Sequence, residues 1–248
     1  MSNIFSRTLG NIIGTAAYYT HARGNLEKAR PMYERAERLG MTAYNPRMAH
    51  GVLMLRTGRY DEAERQFENI LKKNVPVKHL DNARLNFATA CWKSGKIDTA
   101  ITLVEDLEKT HRTARSNATL GFLYIAKGDL DTAIAYNTEA LEYDDENHAV
   151  MDNLGQAYYR KGDLDTAQQW FEKNLEMDDK QPDSLYYMGL IKQRQGDYAA
   201  ARDYFERTLD LRIGTLNTIT ADQVRASLAE VDALEGVQPA LNTSDDED

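Results

Sequence analysis

Apolar residues recur along this chain with a helical period, and glycine interrupts them at regular intervals. Leu120 and Tyr124, then Ala133 and Leu141, form two such stripes on either side of Gly128. The glycines that close a helical run are Gly24, Gly58, Gly95, Gly128, Gly162 and Gly196, at spacings of 34, 37, 33, 34 and 34. Five residues after each stands an alanine: Ala29, Ala63, Ala100, Ala133, Ala167 and Ala201. Two residues after each stands a large apolar residue: Leu26, Tyr60, Ile97, Leu130, Leu164 and Tyr198. Seven residues before each stands a small one: Ala17, Gly51, Ala88, Gly121, Gly155 and Gly189. Four columns in register over six copies define an internal repeat, each copy predicting two helices joined at the glycine.

Each column has a physical cause. The closing glycine supplies a left-handed backbone at a helix end without a Cβ penalty. Acids follow it, as in Asp129, Asp131, Asp163 and Asp165. There they meet the unpaired N–H groups of the next helix. Gly51, Gly121, Gly155 and Gly189 lie inside the first helix, where glycine costs about 1 kcal/mol against alanine. That repeated cost predicts a partner helix crossing too closely for a side chain, with the alanine column as its small counterpart.

These columns resemble the tetratricopeptide repeat, whose pattern runs Trp, Leu-Gly, Tyr, Ala, Phe and Pro at set offsets. The resemblance is most specific over residues 120–144, 154–178 and 188–212, which carry Leu120-Gly121-Tyr124-Ala133, Leu154-Gly155-Tyr158-Ala167-Phe171 and Met188-Gly189-Ala201-Phe205. It implies an all-α, right-handed α-solenoid of six repeats: 10–43, 44–77, 81–113, 114–147, 148–181 and 182–215. The sequence departs from the family pattern in several places. The early Trp position holds Ile13, Arg47, Arg84, Asn117, Met151 and Leu185, and the late Pro is absent. Asn137 replaces the usual aromatic, with Tyr136 beside it as a substitute, and residues 74–80 insert about three positions. Residues 1–9 read as an extension, part of the first helix.

A solenoid must cover its open end. Thr220 and Gln223 form a capping box, Val224, Leu228 and Val231 a stripe, and Gly236 a stop, which predicts a capping helix within 216–236. Residues 237–248 lack periodicity and end in acids, so disorder is expected there.

Composition narrows the function. The formal net charge is −9, and the last four residues contribute four of those charges, leaving −5 for the rest. No basic stripe favours nucleic acid. The charge-free run Thr8–Thr20 is shorter than a membrane span, so it reads as first helix, and no membrane insertion is expected. Cys91 is the single cysteine and falls on an apolar position, as a buried small hydrophobe in a chain expected in the cytoplasm. The five histidines form no i, i+4 pair or Cys/His cluster, and no phosphate loop or nucleophile elbow occurs. No catalytic, metal or cofactor site is expected.

In the resembled family the first helix of each unit lines a concave groove. That analogy places Met48, Val52, Leu55, Leu85, Trp92, Phe122, Ile125, Tyr159 and Tyr186 on the groove, and the middle units are notably apolar there, which fits partner contact and, equally, several of these residues packing as core against neighbouring first helices. The expected function is a scaffold or adaptor gripping a protein or peptide segment, an amphipathic helix among the candidates. The alternative is a structural protein acting through homo-oligomerisation. The lysine and asparagine with which some members hold a C-terminal carboxylate are replaced by Gly14 and Tyr18 in the first unit.

Overall fold

A computed structural model describes residues 4–72, 75, 77–214 and 217–242, omitting the side chains of 77, 78 and 235–242. Among the described residues the chain forms thirteen helices and no strand. In order they are α1 (Ile4–Ala22), α2 (Leu26–Arg38), α3 (Tyr44–Arg56), α4 (Tyr60–Leu71), α5 (Val77–Lys93), α6 (Ile97–Glu108) and α7 (Ala114–Lys127). There follow α8 (Leu130–Tyr143), α9 (His148–Lys161), α10 (Leu164–Met177), α11 (Pro182–Arg194), α12 (Tyr198–Asp210) and α13 (Ala221–Asn242). The architecture is an all-α solenoid built of antiparallel helix pairs. Two compact units divide at Ser116/Asn117, within the first turn of α7.

Gly162 shows how a pair turns. It closes α9 at φ 85°, the left-handed region, and the same conformation recurs at Gly24, Gly58, Gly95, Gly128 and Gly196. The acids that follow cap the next helix. Asp129, Asp163 and Asp197 accept the backbone N–H groups of Thr132, Thr166 and Ala200, and Asn25 does the same for Lys28.

The mid-helix glycines form notches. A Cβ on Gly155 would lie 2.5 Å from the ring of Phe171, and one on Gly189 would lie 2.5 Å from Phe205. Gly51 meets Phe67 in the same way at 2.7 Å. Phe67, Phe171 and Phe205 are fully buried, as are Ala63, Ala167 and Ala201 one turn earlier on the same helices. Helices α3, α9 and α11 thus each receive an aromatic knob from the helix that follows. At Gly121 the notch is filled by the Asn137 amide. Its Nδ2 donates to the Ala133 carbonyl at 2.7 Å, and its Oδ1 accepts from Asn153 at 3.0 Å. Tyr136 does not substitute for the missing aromatic; its hydroxyl donates outside the notch to Asn117 Oδ1 at 3.1 Å.

In the N-terminal unit residues 77–80, the described end of the inserted stretch, are helical. Helix α5 has 17 residues against 13 in α3, so an extra turn precedes the repeat register. In the C-terminal unit α13 covers α11 and α12. Thr220 and Gln223 bond reciprocally as a capping box, with N···O distances of 2.8 and 3.2 Å. Val224 and Val231 are fully buried. Helix α13 passes through Gly236, expected as its stop, and continues to Asn242. A single glycine costs about 1 kcal/mol in a helix, a bias that does not by itself end one. The remainder of the expected disordered tail, 243–248, lies outside the described residues.

Replacing Gly155 with alanine should lower stability by about 1–3 kcal/mol, because overpacking against the enclosed Phe171 ring outweighs about 1 kcal/mol of helix propensity. Gly14→Ala should cost less, since the obstructing atom is the thioether of Met41, whose flexible chain can swing aside. Urea denaturation of both variants checks this order, and a Gly155→Ala protein more stable than wild type would refute the notch. Ala167→Leu should also lose about 1–3 kcal/mol by the same measurement.

Candidate functional site

On the N-terminal unit, α3 packs between α1 and α5. The three helices enclose a concavity of about 410 Å³. Helix α3 supplies Asn45, Met48, Ala49, Val52 and Arg56, a single stripe at i, i+3, i+4, i+7 and i+11. Tyr18, His21 and Ala22 come from the end of α1, Tyr44 from the start of α3, and His79 and Asn82 from the start of α5. The floor is apolar (Met48, Ala49, Val52) and the walls are aromatic and amide. No Asp or Glu lines it, in a chain whose net charge is −9.

The walls are held in place. The Tyr44 ring stacks on His79 with centroids 4.7 Å apart, and its hydroxyl donates to the His79 carbonyl at 3.1 Å. Asn82 Oδ1 accepts from Arg115 at 2.8 Å and from Asn86 at 3.0 Å. His21 lies 3.4 Å from the Tyr33 hydroxyl. Burial, then the charge of Arg56, hold the His21 imidazole below its ordinary pKa. A neutral imidazole beside a guanidinium makes the site a hydrogen-bonding one with a single strong positive group.

The nine residues expected on a groove divide into two sets. Met48, Leu55 and Leu85 in the N-terminal unit and Ile125 in the C-terminal unit are buried, Ile125 completely. So buried, they have little surface to offer a partner, apart from the Met48 edge that reaches the concavity. Interior first helices pack on neighbouring first helices, so part of the concave stripe is used up within the stack. Val52, Trp92, Phe122, Tyr159 and Tyr186 are half-buried. Of the nine, the concavity brings together Met48 and Val52. Trp92 stands apart with the Lys93 ammonium 4.1 Å from its ring centroid. Tyr44 and His79 escaped sequence reasoning. His79 rides on the extra turn of α5, and Tyr44 sits at the first position of its unit, outside the groove stripe.

The corresponding face of the C-terminal unit is occupied by its own cap. Asp183 accepts from the Thr218 backbone N–H at 2.8 Å and also from the Thr218 hydroxyl and the Asn217 amide. The Tyr186 hydroxyl lies 3.2 Å from Ser227 Oγ of α13. Tyr159 lies under the Arg194 guanidinium at 4.6 Å. Asp152 accepts from Ser184 at 2.7 Å and from Gln156 at 2.6 Å, and Ser184 in turn accepts from Asn174 at 2.9 Å. Burial, then the neighbouring Asp183 charge, push the Asp152 carboxyl well above the usual carboxylate range.

Among the described residues no group of three or more His, Cys, Asp or Glu could hold a metal ion, and no helix is long and apolar enough to cross a membrane. Cys91 is fully buried, and burial, then the Glu64 charge, push its thiol up to about 11, so it packs rather than reacts. The raised Asp152 pKa has a consequence for stability. The folded state keeps a proton that the unfolded chain releases above about pH 4, so this group's contribution declines as pH rises through its folded pKa. Asp152→Asn, neutral throughout, should gain stability relative to wild type as pH is raised from about 4 to neutrality. Parallel stability curves for the two proteins, from urea melts over that range, would contradict the assignment.

No curated protein matches the chain. Among solved structures it is similar to a tetratricopeptide repeat protein from Parabacteroides merdae, with TM-score 0.78 and 13% identity over 90% of this chain and 84% of that one. A thermophilic TPR protein of Thermus thermophilus aligns with TM-score 0.64 and 21% identity over 76% of this chain and 98% of that one. PilW, a type IV pilus biogenesis factor, aligns with TM-score 0.62 and 17% identity over 82% of this chain and 93% of that one. At these identities the likeness is one of fold. Three tetratricopeptide repeat models match residues 48–118, 112–180 and 183–211, together most of the chain. With the glycine-closed helix pairs and their small-residue notches, they show that the chain belongs to the tetratricopeptide repeat family.

Proposed function

We propose that this chain, like tetratricopeptide repeat proteins generally, mediates protein–protein interaction as a scaffold or adaptor, and that it grips a segment of another protein in the concavity between α1, α3 and α5. What supports this is the concavity itself, an apolar floor walled by Tyr18, Tyr44, Asn45 and Asn82, with Arg56 at one side and no acid in its lining. A partner of matching chemistry is an amphipathic segment. Its apolar side chain meets Met48 and Val52, its backbone or amides meet the asparagines, and an acidic side chain lies toward Arg56. Tyr18 is 37% exposed and already ordered on a helix, which suits it to anchor such a segment at low entropic cost. A cytoplasmic setting belongs to the same proposal, and the lone buried Cys91 fits it.

Affinity purification from source cells, with wild type and a Tyr18→Ala, Arg56→Ala double variant as baits, tests this reading. A partner recovered with wild type should bind the folded variant about tenfold or more weakly, a loss typical of an aromatic or arginine anchor. Its binding to wild type should also weaken with salt. Equal recovery by a variant of unchanged helicity would reject the site.

A further inference from the structure

Helix α1 presents two faces of opposite character. Gly10, Gly14 and Ala17 are buried, and a Cβ on Gly10 would come within 3.0 Å of the Ala36 carbonyl. That face is packed as tightly as the helix allows. The opposite face carries Phe5, Thr8, Ile12, Thr15 and Tyr19, spaced 3, 4, 3 and 4, and all five are exposed. Phe5 is 77%, Ile12 62% and Tyr19 60% exposed, and Ile4 beside them is 83% exposed. These are among the largest exposed apolar residues described, and they are gathered on one helix. Alternating steps of three and four are the seam spacing of a helix that pairs with another helix.

The seam has two properties that select its occupant. Its five residues are uncharged, and the run from Thr8 to Thr20 contains no Asp, Glu, Lys, Arg or His, Arg7 standing just before it off the seam. It is also symmetric: from either end it reads aromatic, Thr, Ile, Thr, aromatic. A face with that symmetry matches an inverted copy of itself, as a two-fold interface demands. We propose that α1 is a self-association surface, on which two copies of this chain pair through antiparallel α1 helices centred on Ile12. In that arrangement Phe5 lies against Tyr19 of the partner subunit, and Thr8 lies against the Thr15–Ala16 step. The Thr8 hydroxyl already donates to the Ile4 carbonyl at 3.0 Å, so its methyl group is free to pack. Opposed helix dipoles favour the antiparallel sense.

The dimer is weak and salt-strengthened. A helix of 19 residues is about 28 Å long, too little for an interface of the standard size of about 1,600 Å². Interfaces below that size are typically weak or transient. Each copy carries a net charge of −9, so screening by salt favours pairing. This surface does not depend on the concavity proposed above, and its salt response has the opposite sign.

Sedimentation equilibrium on the full chain, over a concentration series at low and high salt, reads the association. Wild type should approach twice the monomer mass, and Ile12→Glu, which sets two carboxylates face to face, should weaken the dimer about tenfold or more. Ile12 is exposed, so the variant's helicity should match wild type. Mild oxidation of single-cysteine additions reads the geometry, Cys91 being buried. Ile12→Cys should cross-link with itself, and Phe5→Cys should cross-link with Tyr19→Cys but not with itself. A strictly monomeric wild type, a dimer indifferent to Ile12→Glu, or Phe5→Cys self-linkage as efficient as that of Ile12→Cys would each overturn the proposal.

Discussion

The notch where Phe171 meets Gly155 is the constraint from which the rest of the structure follows. A Cβ at Gly155 would fall inside the volume of the ring, so the pair α9–α10 reaches its observed approach only with a hydrogen at that position. The same notch sets α3–α4 through Gly51 and Phe67 and α11–α12 through Gly189 and Phe205. Mid-helix glycine weakens each helix in isolation, and burial of the aromatic knob, worth roughly 1.5–3 kcal/mol, more than offsets it. Stability is therefore held between paired helices rather than within them, as a repeat array requires.

Once the pairs are set, the first helices within each unit face one another, and the two units use that face differently. In the C-terminal unit Asp183 and Tyr186 are tied to residues 217–227, so the face anchors the capping helix. In the N-terminal unit the side chains of α1, α3 and α5 leave a concavity whose lining has no acid. Both faces derive from the same repeat positions; what differs is whether the chain supplies its own occupant.

Features governed by local rules were legible in the sequence. The closing glycines, the acids that cap the next helix, the Thr220–Gln223 box and the buried Cys91 each depend on a few neighbouring residues, and the structure bears them out. Features governed by packing between units of the repeat were only partly legible, because the repeat pattern alone leaves open whether a groove-stripe residue is surface or core. Leu55, Leu85 and Ile125 lie on a stripe that faces the groove by analogy, yet neighbouring helices bury them. Asn137 looked like a defect in an aromatic column, but its amide fills the notch and satisfies both its polar ends through Ala133 and Asn153. His79 reaches the concavity because residues 77–80 are wound into α5, a choice between loop and helix that the inserted stretch alone did not decide.

Hydrogen–deuterium exchange of the full chain, free and bound to a partner recovered with it, tests the central claim most directly: the notched pairs are a fixed frame, and recognition takes place on the first-helix face of the N-terminal unit. The account predicts slowed exchange in α1, α3 and the start of α5 on binding. The amides of α2, α4 and α6, already held by the pairing, should be unchanged. Protection confined to α2, α4 and α6, with α3 unaffected, would contradict it.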